Sequence, residues 1–123
     1  MGPITPTLWF DTEALEAAEF YTSIFPNSEL GAISYYDGTG PRPAGMVATV
    51  EFTLNGQRFV ALNGGPEFTF DEAVSFLVEC GDQTEFDYYW DTLVAGGEAA
   101  PGGWLKDRFG LWWQIVARVM AQA

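Results

Sequence analysis

Apolar and polar side chains alternate along two stretches of this chain, and alternation with a period of two is the signature of half-buried β-strands. The first stretch runs Val47 to Leu54 and Gln57 to Leu62 across an Asn55-Gly56 dipeptide, which predicts a hairpin with a two-residue turn. In that hairpin Ala48, Val50, Phe52, Leu54, Phe59 and Ala61 share one face, while Thr49, Glu51, Thr53, Arg58, Val60 and Leu62 share the other. The second stretch, Gly103 to Val116, has the same design with a longer Asp107-Arg108-Phe109-Gly110 loop. Its last strand separates Trp112, Gln114 and Val116 from Trp113 and Ile115. The wholly apolar faces are expected under helices and the mixed faces toward a groove.

The rest of the chain supplies those helices. Ala14, Ala18, Tyr21 and Phe25 recur at helical spacing with Ala17, Phe20 and Ile24 beside them, giving one broad apolar stripe. Asp11-Thr12 is the expected cap, and Pro26-Asn27 the stop. A strand over Ile4 to Phe10 precedes this helix. A strand over Leu30 to Tyr36 follows it, and Asp37 to Pro43 reads as an exposed loop rich in Gly and Pro. After the first hairpin, Gly64-Gly65-Pro66 breaks the pattern. Val74 to Cys80 then reads as a strand, and Asp82 with Glu85 three residues on predicts a second helix opened by a capping box. Phe86, Tyr89 or Trp90, and Leu93 form its stripe, and Gly96-Gly97 ends it. Arg118 to Ala123 is a short tail, helical in one reading.

The chain thus reads as one unit written twice. Leu8 aligns with Leu77 and Phe20-Tyr21 with Tyr89-Trp90, each at a separation of 69 residues (77−8 and 89−20). Each unit runs strand, helix, then two or three strands, and neither buries its sheet face alone. The expected fold class is α+β in a single domain: two βαβββ modules, about 1–66 and about 67–123, forming a half-barrel with helices outside and a concave groove inside.

Composition narrows the function classes. Seventeen Asp and Glu against five Lys and Arg give a net charge of −12, a field that repels phosphate backbones and anionic lipid. Nucleic acid and membrane are therefore not expected partners. A cationic or neutral ligand suits the charge, with solubility as the plainer account of the same acidity. Cys80 is the single cysteine, so no intramolecular disulfide framework exists. The stretch Met1 to Pro6 lacks the basic and apolar regions of a secretory signal, which sets the expectation of a cytoplasmic protein. The chain has no histidine, which removes Ser-His and Cys-His dyads and every imidazole metal site.

Four stretches carry a resemblance to a known family: Ile4-Thr5-Pro6 with Leu8-Trp9-Phe10-Asp11; Glu19 to Phe25; Ala61 to Pro66; and Gly103 to Leu111. Together they closely resemble the PhnB-like branch of the vicinal oxygen chelate superfamily, whose members carry glyoxalase-like and demethylubiquinone methyltransferase-like labels. The resemblance covers almost the whole chain. It implies paired βαβββ modules, as in glyoxalase and bleomycin-resistance proteins, and a homodimer. In superfamily enzymes one side chain from each of four strands, typically His or Glu, holds a divalent metal. The matching positions are Pro6, Ser75, Val60 and Gln114, so no metal and no cofactor are expected here. The chain also departs from the branch pattern, with Gly102 in place of a common Cys, Trp112 in place of a small residue and Ala117 in place of a common Pro.

The candidate site is accordingly a groove lined by Thr49, Glu51, Val60 and Leu62 from the first module and Ser75, Leu77, Trp112 and Gln114 from the second, with Val116 beyond. The expected activity is metal-free binding of a small apolar or cationic molecule. The alternative is a metal-independent lyase or isomerase using Glu51 as catalytic base with Gln114 as a polar positioner. Each key residue has a plainer role: Glu51 as the diagonal ion-pair partner of Arg58, and Trp112 as a core or interface aromatic. A methyl-transfer reading finds no glycine-rich strand-to-helix turn for an adenosyl donor, because Gly64-Gly65 leads into Pro66.

Overall fold

The structure, a computed structural model, describes residues 1–117, and the tail from Arg118 lies outside them. Among the described residues, eight strands and two helices run in the order β1 (Thr7–Phe10), α1 (Ala14–Ile24), β2 (Glu29–Tyr35), β3 (Val47–Leu54), β4 (Gln57–Asn63), β5 (Phe76–Cys80), α2 (Gln83–Val94), β6 (Glu98–Ala99), β7 (Trp104–Lys106) and β8 (Trp112–Ala117). A 3-10 turn, Pro101–Gly103, leads into β7. The chain divides into two compact units, one ending at Thr69 and the other starting at Phe70.

In the first unit the sheet order is β1-β4-β3-β2, with β1 parallel to β4 and the other pairs antiparallel. The Asn55-Gly56 turn has positive φ at both residues, +49° and +82°, as a type I′ turn requires. It sets the register Leu54↔Gln57, Phe52↔Phe59 and Val50↔Ala61. Those residues, apart from Gln57, are buried and α1 packs on them. Ala14, Ala17 and Ala18 are fully buried, and their small side chains let the helix lie close to the sheet while Tyr21 reaches the Phe52 ring at 6.4 Å. Phe52 in turn stacks on Phe59 at 5.3 Å.

The helix starts later than the sequence predicts, and Asp11-Thr12 does not cap it. Glu13 occupies the cap position without a side-chain cap bond, and the Ala14 N–H instead donates to Asn63 Oδ1 at 2.8 Å from the end of β4. Asp11 is engaged elsewhere. Arg42 Nη2 donates to its backbone carbonyl at 2.6 Å, and Nη1 approaches its carboxylate at 3.2 Å. Asn63 also donates through Nδ2 to the Val47 carbonyl at 3.0 Å, so one buried amide ties helix start, β3 and β4 together.

The second unit repeats the topology, in the order β5-β8-β7-β6 with β5 parallel to β8. Here the local cap holds. Asp82 accepts from the Glu85 N–H at 2.9 Å, and Glu85 returns the bond to the Gly81 N–H at 3.2 Å, one residue ahead of the usual reciprocal partner. Trp113, Ile115 and Ala117 are buried with Leu105, Tyr89, Leu93 and Cys80. Of the two candidates for the helix stripe it is Tyr89 that is buried, Trp90 standing beside Phe86 in a stacked pair at 6.0 Å. The short strand β6 has no counterpart in the sequence reading, since two residues carry no legible period.

The internal repeat is real, but a single separation does not describe it. Leu8 is buried whereas Leu77 is 54% exposed, so they lie on opposite faces of their strands. The equivalents of Leu8 and Phe10 by face and pairing are Val78 and Cys80, one residue further on, and the buried Tyr21 corresponds to the buried Tyr89, one residue back. The strand-to-helix connections differ in length between the units. Neither sheet closes on itself into a barrel.

Candidate functional site

Each sheet has a helix-covered face and an open face, and strand parity decides which side chains stand on the open one. In the first unit the open face carries Thr49, Glu51, Val60 and Leu62, brought together by the pairs Glu51↔Val60 and Thr49↔Leu62. All four are half-buried. Thr49 shares a hydroxyl–hydroxyl hydrogen bond with Ser34 of β2 at 2.5 Å. Glu51 accepts from Arg58 Nη2 at 2.8 Å across the diagonal of the hairpin, the plainer of the two roles expected for it. A shallow cavity of about 190 Å³ lies beside this pair, lined by Glu29, Gly31, Ala32, Phe52 and Thr53 as well.

In the second unit Trp112, Gln114 and Val116 are half-buried on the open face, while Trp113, Ile115 and Ala117 alternate beneath. Leu77 pairs with Gln114 and stands on the same face. Ser75 precedes β5, because pairing with β8 begins only at Phe76↔Trp113. Sequence reasoning did not single out Trp104 and Lys106, which β7 places on this face opposite Gln114 and Trp112. The signal was present in the parity of a three-residue strand. A cavity of about 290 Å³ lies here, lined by Trp104, Trp112, Ala100, Pro101 and Glu72.

The connection Gly64-Gly65-Pro66 serves β1 rather than a ligand phosphate. The Trp9 indole N–H donates to the Gly65 carbonyl at 2.9 Å, and its ring lies so close to Gly64 that a Cβ there would sit 2.5 Å from ring carbons. Phe68 meets the same ring edge-on at 4.9 Å. Glycine at 64 is a packing requirement.

The positions that the resemblance marks for a metal do not fit one. Pro6 and Val60 have no side-chain donor atoms, and the Ser75 hydroxyl and Gln114 amide are weak neutral ones. The Pro6 carbonyl is taken up by the Val60 N–H at 3.0 Å. On the open face β1 offers Thr7, paired with Val60. Among the described residues no group of three or more His, Cys, Asp or Glu side chains is gathered so as to hold a metal ion. No helix among them is long and apolar enough to cross a membrane.

Two βαβββ units with matching sheet order define the fold class of the vicinal oxygen chelate proteins. Residues 3–116 match the family described as 3-demethylubiquinone-9 3-methyltransferase. The chain is similar to the PhnB protein of Bacillus cereus, which bears the same methyltransferase name: 37% identity, 94% of this chain and 99% of that chain covered, TM-score 0.82. It shares its fold with protein PA1353 from Pseudomonas aeruginosa, at 20% identity over 95% of this chain and 98% of that one, TM-score 0.73. It also shares it with the fosfomycin resistance protein FosX from Listeria monocytogenes, at 17% identity over 98% and 94% respectively, TM-score 0.64. No protein of curated function matches the chain. The chain belongs to the PhnB-like branch of the vicinal oxygen chelate superfamily.

Proposed function

We propose that this protein binds a small apolar or cationic organic molecule on the open face of its second sheet, without a metal, and works as a homodimer. One observation carries the reading. The open face of β8 presents Trp112, Gln114 and Val116 half-buried beside the exposed Leu77, while its covered face is fully apolar and packed. An indole beside an amide is the pairing small-molecule sites use, the first for contact area and the second for orientation. The location proposed is the cytoplasm.

Methyl transfer, the activity in the family's name, is not part of this reading. The strand-to-helix connections are Asp11-Thr12-Glu13 and Gly81-Asp82, and neither is the glycine-rich turn that seats an adenosyl donor. For the alternative, a lyase or isomerase role for Glu51, the carboxylate is paired through Oε1 with Arg58 Nη2 at 2.8 Å.

The test is a ligand screen by thermal shift, followed by turnover assays on any hit. A hit should lose about tenfold or more in affinity in Trp112→Ala and less in Gln114→Ala. Stoichiometric zinc, nickel or manganese in dialysed protein would overturn the metal-free part of the reading. Hits unaffected by Trp112→Ala would overturn the placement.

A further inference from the structure

From the cavity between Trp104 and Trp112, we infer that the second unit carries a site for a small organic cation of the alkylammonium class. The inference rests on the proposed open-face binding and narrows its ligand. Trp104 and Trp112 stand on neighbouring antiparallel strands. Register sets Trp104 opposite Gln114 and Lys106 opposite Trp112, so the two indoles are diagonal neighbours on one face, within mutual reach of large side chains. Between them and the 3-10 turn lies a shallow, open depression of about 290 Å³.

Its wall is aromatic and aliphatic except for Glu72, whose carboxylate has no hydrogen-bond or ion-pair partner among the described residues. Two indoles and an unpaired carboxylate are complementary to a cation with an apolar shell. The π-faces attract its charge, the methyl groups fill the apolar volume, and the carboxylate supplies the counter-charge. An anion would meet both Glu72 and the overall charge of −12. Among the described residues, the cation that register sets opposite Trp112 is Lys106, and its Nζ lies 3.7 Å from Glu98 Oε2. Ala100 and Pro101 line the depression without polar side chains, so a strongly hydrated ion such as sodium gains nothing there that water does not give it.

The test uses the full chain, with choline as the cationic probe and 3,3-dimethylbutan-1-ol as its uncharged isostere. Binding is read from the indole N–H resonances, assigned by single Trp→Phe variants. Choline should shift the Trp104 and Trp112 resonances saturably and bind at least about fivefold more tightly than the alcohol. Glu72→Gln should bring that ratio toward one. Trp112→Leu, which keeps apolar area but removes the π-face, should abolish the preference. Equal or tighter binding of the alcohol would overturn the cation assignment and leave open-face small-molecule binding standing. Choline shifts at Trp9, Trp90 or Trp113 alone, or no shift with either probe, would also overturn it. Only a ligand screen without hits would remove the broader reading as well.

Discussion

The Trp113 indole N–H donates to Asp107 Oδ2 at 2.8 Å, joining the loop of the second hairpin to the buried face of β8. The other carboxylate oxygen accepts the backbone N–H groups of Phe109 and Leu111 at 2.8 and 3.0 Å. Asp107 is 2% exposed, so protein donors, these three among them, stand in place of water around its carboxylate. Asp107→Ala removes the acceptor of one indole and two amide bonds, and should lower stability by about 3 kcal/mol in urea denaturation. Trp113→Phe removes one of these bonds and should cost less.

Gly64→Ala should destabilise through a different mechanism. The new methyl group must displace the Trp9 ring, which is pinned by its bond to the Gly65 carbonyl and by Phe68. A loss of about 1–3 kcal/mol is expected, as for overpacking in a filled core. Combining it with Trp9→Phe, which shrinks the ring, should recover part of that loss in thermal melts.

Glu51→Gln should change stability by less than about 1 kcal/mol, because both partners of the Glu51–Arg58 pair are substantially exposed and screened. A loss of several kcal/mol in denaturant titrations would show that the pair carries structural weight its exposure does not suggest.

Stability should fall at alkaline pH. Burial pushes the Cys80 thiol up from its ordinary 9.0, with Glu85 and Asp82 adding to the effect. Burial likewise pushes the Tyr89 phenol up from 10.0, with Glu85, Tyr88 and Cys80 contributing. Above the ordinary values the unfolded chain releases these protons while the folded chain retains them. The unfolded state then binds fewer protons and stability declines as pH rises. Urea midpoints measured between about pH 8 and 10.5 should fall less steeply in Cys80→Ala and in Tyr89→Phe.

A dimer mass is expected in light scattering at micromolar concentration. The edge strand β2 leaves Leu30 and Tyr35 exposed, and open edges of this kind invite pairing with a second copy. A monomer mass would overturn the expectation.

Much of the fold was legible because its strands alternate. The parity read over Val50 to Leu54, Arg58 to Leu62 and Trp112 to Val116 matches the alternation of buried and more exposed side chains in β3, β4 and β8. What stayed hidden depends on residues distant in sequence. Nothing near Ala14 announces that Asn63 starts the helix. The repeat was legible as an order of elements, but the equivalence of Leu8 with Val78 required the β1–β4 and β5–β8 registers. The cavity beside Trp112 was half legible: the strand named Trp112, whereas Glu72, Ala100 and Pro101 come from irregular segments without a period to read.

The two helices of this repeated unit are opened by different means, and the difference should show in folding kinetics. Helix α2 carries its own cap in Asp82, three residues from the amide it serves, so its first turn can form before any sheet exists. Helix α1 waits for Asn63, 49 residues along the chain, and gains its cap only when β4 has docked. Asp82→Ala should therefore slow folding, whereas Asn63→Ala should mainly hasten unfolding, a contrast that stopped-flow chevrons on the two variants would display.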